Sequence, residues 1–145
     1  MARKDKGNYG GKHPPGTKVD GRIAEALAAE VSDETMSCAA AHDMSVRLNL
    51  PVSQIGAALD VSGIAIVQCQ LGLFGQGLAG RSVTAAASVN EDFRQTIEKR
   101  LRDGKLSCAS AWEIADDRGI ARIAVAAACE TLKIRISACQ LGAFR

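Results

Sequence analysis

Cys38 and Cys69 stand 31 residues apart, and so do Cys108 and Cys139. Thiolates are soft donors, the ligands that zinc and iron–sulfur clusters favour. If the two pairs converge, they make a four-thiolate site; if they stay apart, each is one redox-active couple. Neither pair has the short spacing of known zinc motifs, and cysteine is also a small residue that fills gaps between close helices. Packing is therefore the competing role for all four. With Cys129 the count of cysteines is five, odd and without a CxxC pair, which argues against a secreted disulfide scaffold and for reduced thiols in a cytoplasm.

The equal spacings have a cause. Residues 36–75 laid on 106–145 without a gap agree at thirteen of forty positions, among them Ser37/Ser107, Cys38/Cys108, Ile66/Ile136 and the run CQLGLF against CQLGAF. So many matches at one offset, several of them rare letters, indicate an internal duplication. Cys129 then falls opposite Leu59 and reads as core. His42 falls opposite Trp112, so a symmetric pair of histidine ligands is not expected. His13 lies in a Gly- and Pro-rich stretch and reads as solvated.

The elements that must position these residues follow from the second copy. Ser107 is placed to cap a helix over about 108–118, with Cys108, Ala111, Trp112 and Ala115 inward. Gly119 can take the left-handed conformation that ends it. A second helix runs from about Arg122 to Thr131, burying Val125, Ala128, Cys129 and Leu132, and KIRIS alternates afterwards as a short strand. Ala115, Gly119 and Val125, like Ser45, Asn49 and Ile55 in the first copy, have the spacing of a helix-turn-helix corner. In CQLGxF, Leu71 and Phe74 read as the plug of a small core, with Gly72 in the turn between them. The fold expected is mainly α with short β-strands: two tandem winged-helix-like helix-turn-helix repeats. Residues 1–19 read as a basic disordered arm, 20–75 as repeat 1, 76–90 as a Gly/Ser/Ala-rich linker and 91–145 as repeat 2. Each repeat opens on an amphipathic helix, RIAEALAAEV at 22–31 and EDFRQTIEKRLRDG at 91–104.

The unit SCxxA, strand, CQLGxF resembles a family of small bacterial proteins without an assigned activity. The resemblance spans nearly the whole chain, including GNYGGKHPPGTKVD at 7–20. It implies the repeated fold and carries no activity, substrate or cofactor with it.

Charge is uneven. The arm holds five basic residues, Arg3, Lys4, Lys6, Lys12 and Lys18, against Asp5, whereas 20–75 hold two arginines against seven acids. In helix-turn-helix proteins the start and outer face of the second helix reach base edges, here positions 51–53, 56, 57 and 60, and 121–123, 126, 127 and 130. Arg122 is the one residue among them suited to base readout. The leading expectation is a small cytoplasmic DNA-associated regulator, with Arg122 and the basic arm making the nucleic-acid contacts. The alternatives are a protein-interaction or self-association module working through the smooth faces Gly56-Ala57 and Ala126-Ala127, and a cysteine-based metal or redox sensor at Cys38, Cys69, Cys108 and Cys139.

Other classes find no support. No apolar run approaches the ~20 residues of a membrane span, and the basic N-terminus has no apolar segment behind it to make a secretory signal. No nucleophile stands beside a plausible base, no phosphate loop occurs, and Asp116-Asp117 reads as a solvated helix end; a non-enzyme without a small-molecule substrate is expected.

Overall fold

The computed structural model describes His13, residues 18–77 and residues 80–145. Arg3, Lys4, Lys6 and Lys12 lie outside the described residues, as does most of the expected arm. The rest is mainly helical with four short strands: α1 (Gly21–Glu30), β1 (Thr35–Ser37), α2 (Cys38–Leu48), α3 (Val52–Val61), β2 (Ala65–Val67), α4 (Glu91–Glu98), β3 (Lys105–Ser107), α5 (Cys108–Arg118), α6 (Arg122–Leu132) and β4 (Arg135–Ser137). Each of the last five elements begins 70 residues after its counterpart among the first five. No helix among the described residues is long and apolar enough to cross a membrane.

Local chemistry sets the helix ends. The Ser37 and Ser107 hydroxyls accept from the N–H groups of Ala40 and Ser110, capping α2 and α5 so that Cys38 and Cys108 become their first residues. Asn49 and Gly119 both adopt positive φ, 53° and 64°, and end these helices in the left-handed conformation. Leu50 N–H then returns to the Ser45 carbonyl, and Ile120 N–H to that of Ala115. Ile55 and Val125 are fully buried behind these corners.

The strands differ from expectation. A strand precedes each helix pair as well as following it, and the two pair in parallel: Met36 opposite Ile66, Leu106 opposite Ile136. Each half is thus a strand, two helices and a returning parallel strand, where a wing would be an antiparallel hairpin. Three residues per strand are too few to show an alternation in sequence, and the partner lies 30 residues away. The amphipathic segment at 91–104 is also shorter as a helix than its Phe93, Ile97, Leu101 stripe suggested. It ends at Glu98, because Asp103 and Gly104 both take positive φ in a tight turn closed by an Arg102–Lys105 bridge that feeds β3.

The core is continuous through both halves, from Ile23, Met44 and Leu59 to Ile97, Ile114 and Leu141. The described residues of the expected linker, 80–90 in particular, are no free tether. The N–H groups of Ser82 and Val83 bond to the Gly72 carbonyl, Ala86 exchanges bonds with Ala127 and Thr131 of α6, and Arg81 pairs with Glu130.

Candidate functional site

Two ring contacts locate the joint between the halves. Phe74 and Phe144 meet edge to face at 6.2 Å, and His42 and Trp112 lie 4.1 Å apart. In each pair the two residues are 70 positions apart, so equivalents meet each other. That happens only at a local twofold axis, as in an isologous contact.

The CQLGxF loops build this joint reciprocally. A β-carbon on Gly56 in α3 would lie 2.7 Å from the Leu141 carbonyl carbon and closer still to its oxygen. One on Gly72 would lie 2.7 Å from the Ile123 methyl of α6, and Leu73 shares a hollow of about 190 Å³ with Ala126. Each loop therefore docks on the other half's second helix. The smooth Gly56 and Ala126 positions thus face the other half's loop, at Leu141 and Leu73, in place of a second helix. Phe74 and Phe144, expected to close two separate cores, close on each other.

The four cysteines lie at this joint. Cys38 follows Ser37 of β1, which is paired with Val67 of β2, and Cys69 comes two residues after Val67; the same register brings Cys108 to Cys139. Backbone bonds from Cys69 to Phe74 and from Cys139 to Phe144 tie each loop cysteine to its ring. Cys38 and Cys108 stand one helical turn before His42 and Trp112, on the same faces of α2 and α5. The thiols are thus bracketed by the two ring pairs, two from each half. None is in a disulfide, and Cys38, Cys69 and Cys108 are buried.

Three of these thiols, Cys38, Cys69 and Cys108, hold their protons firmly. Burial pushes the Cys38 thiol up to about 12; the Gln70 N–H at its sulfur works the other way, and Cys69, Cys108 and Cys139 add to the rise. Burial likewise lifts Cys108 to about 11 against the Gln140 side chain and N–H, with Cys139 and Cys69 adding, and it raises Cys69 against the N–H groups of Leu73, Leu71 and Phe74. A helix N-terminus favours a thiolate, but at Cys38 and Cys108 desolvation outweighs it. Cys129, pushed to about 12 by burial, is core as expected. Among the described residues no three His, Cys, Asp or Glu side chains are grouped closely enough to hold one metal ion.

Arg122 belongs to the same joint. Its guanidinium lies 3.6 Å from the centre of the Trp112 ring, 3.5 Å from Gln70 Oε1 and 3.6 Å from Asp116 Oδ1. Sequence reading placed it on an outer face; the packing of α6 against the first half's loop turns it inward. The outer faces of the second helices are also partly occupied. Lys18, itself exposed, lines one hollow with Val19, Gln54 and Ala57, and His13 is bonded to the buried Asp60 at 2.9 Å instead of being solvated. On α6 the linker takes the corresponding place.

His42 provides a pH test of the joint. Burial, reinforced by Arg122, lowers its pKa from 6.5 to about 4. Above the unfolded value both states are neutral and the fold keeps its full stability. Between the two values only the unfolded chain binds the proton, so stability falls as the pH drops and levels off below about 4. Allowing for partial exposure, the loss is about 1–2 kcal/mol. Denaturant titrations at about pH 7.5 and about pH 4.5 should show it in the wild type and much less in His42→Gln.

In comparisons with protein-family models, curated proteins and solved structures, nothing matches this chain.

Proposed function

We propose that this protein is a cysteine-based metal sensor, a non-enzymatic regulatory protein built from two tandem helix-turn-helix-like repeats that share one metal–thiolate centre. The observation that supports this reading is the placement of Cys38, Cys69, Cys108 and Cys139, two from each half, at the strand and loop ends beside the Phe74–Phe144 and His42–Trp112 contacts. Burial raises the Cys38, Cys69 and Cys108 thiols and leaves them weak nucleophiles, and a bound cation is the agent that would draw off their protons. Ligation from both halves couples the centre to the packing between them, which is how a local binding event acquires a global readout. Metal analysis of anaerobically purified full-length protein should find at least one equivalent of a thiophilic metal per chain, released when the chain is unfolded and the thiols alkylated. Metal-free protein that also takes up none would overturn the reading.

A second reading, DNA association, is favoured by the two corners at Asn49 and Gly119. The basic residues of 1–19, Lys18 among them, would follow phosphates in this case, while Arg122 would have to leave Trp112 to reach a base. Gel-shift titration against mixed duplexes should show binding that weakens steeply with salt. Absence of binding at low salt would eliminate it.

A further inference from the structure

The two halves are internal controls for each other, because equivalent positions sit in the same order of elements. In the first half an open groove of about 320 Å³ lies between α1 and the turns that lead into β1 and β2. Leu27, Val31 and Ile64 form its floor, and Ala24, Ala28 and Ser62 are exposed along it. Seventy residues on, the same positions are built differently. Leu101 stands for Val31 and Leu132 for Ser62, both packed on the core, while Arg94 and Glu98 stand for Ala24 and Ala28 and pair with each other. The turn after the helix differs as well. Gly104 has φ 75° in the second half, whereas Glu34 holds the equivalent place at φ 61°, which an L side chain disfavours, and it lines the groove. Its carboxylate makes no hydrogen bond or ion pair with any described residue. Larger leucines, an ion pair and a glycine serve the fold in the second half, so folding alone does not explain what the first half has instead.

We infer that this groove is a docking surface for a basic amphipathic helix of another protein, one that carries leucine-sized side chains with lysine or arginine beside them. Shape sets the apolar half of that description. Ala24 and Ala28 stand one turn apart on α1, and such small residues let a second helix approach closely. Its apolar side chains enter the space that Leu101 and Leu132 fill for the second half, the helix-in-groove mode of recognition. Charge sets the other half. α1 and the turn after it hold Glu25, Glu30, Asp33 and Glu34 against Arg22. Arg22 is drawn to Asp20, and Glu30 is met by Arg47 of α2. Glu25, Asp33 and Glu34 therefore leave the surroundings of the groove negative, which favours a basic partner and turns away an acidic one. None of these residues takes part in the joint between the halves.

The probe is a fluorescein-labelled peptide of about 15 residues, leucine and lysine in an amphipathic helical pattern, titrated with full-length protein by fluorescence anisotropy. Saturable binding is expected, and a twin peptide with glutamate for lysine should bind about tenfold more weakly. Ala24→Arg combined with Ala28→Glu, and separately Ser62→Leu, install residues that the second half already carries at these places. Each should weaken the lysine peptide about tenfold without lowering the unfolding midpoint. Should Ser62→Leu disturb the fold, the double substitution on the exposed face of α1 decides. Glu34→Gly removes the carboxylate and relieves the backbone, so it should keep stability while binding falls about threefold. Equal binding of the two peptides would overturn the basic partner. Binding that survives the α1 double substitution would place the peptide elsewhere, and no binding of either peptide would overturn the docking surface. Light scattering covers the remaining occupant: a wild-type dimer that the double substitution dissolves would give the groove to a second copy of this chain and overturn the separate partner.

Discussion

Gly56→Ala should destabilise the protein by more than about 3 kcal/mol, far above the ~1 kcal/mol typical of a point mutation. On an exposed helix the same change would be favourable, since alanine is the better helix former by about 1 kcal/mol. At Gly56 the added methyl would overlap the Leu141 carbonyl group, with the Leu141 Cα also only 3.0 Å away. These are backbone atoms of a loop whose ends are fixed by bonds between Cys139 and Phe144 and between Gly142 and Cys139. No rotamer change relieves the contact, so the halves must separate or α3 must shift. Gly63→Ala is an informative contrast: its φ of +71° makes alanine strained there, but a β-carbon would meet nothing within 4 Å. Its cost should stay near the ~1 kcal/mol of a local backbone effect. Urea denaturation of the two variants separates the cases. A loss at Gly56 no larger than at Gly63 would mean that the loop gives way easily.

What the sequence disclosed, and what it withheld, divides by range. The helix ends were legible because their causes are local: Ser37 and Ser107 cap three residues ahead, and Asn49 and Gly119 end a helix by their own φ. The constant offset of 70 was legible because it needs only the letters. The parallel strands were not, since three residues carry too little pattern and their partners are distant. Nor could the joint be read. Gly56 and Ala126 showed as smooth faces, but whether they meet a DNA groove, a second chain or the other half depends on how the halves turn, and no short-range signal encodes that. His42 opposite Trp112 looked like a broken symmetry that disqualified a ligand. In the folded chain the mismatch is the contact itself, an imidazole against an indole with Arg122 over the far partner. The cysteine spacing placed one pair in each half, and what it lacked was the environment: burial that overrides the helix N-terminus at Cys38 and Cys108.

Truncation of the leucine in either loop should reveal that the halves fold as one unit. Leu71 and Leu141 are 0% and 2% exposed, so Leu→Ala at either position should cost about 2–5 kcal/mol, by lost transfer energy and by the cavity left behind. The magnitude alone would not distinguish two independent cores from one shared core. Location does. Leu141 belongs to the second half by sequence, but its backbone sits on Gly56 of the first, and Gly72, next to Leu71, sits on Ile123 of the second. Hydrogen exchange on Leu141→Ala should therefore show faster exchange in α3 as well as in α5 and α6, and on Leu71→Ala in α6 as well as in α2 and α3. Both variants should keep a single unfolding transition that coincides by fluorescence of Trp112 and by far-ultraviolet circular dichroism. If each substitution loosened only its own half, the loops would be plugs of separate domains, and ligands drawn from both halves would lose the rigid frame that a shared centre requires.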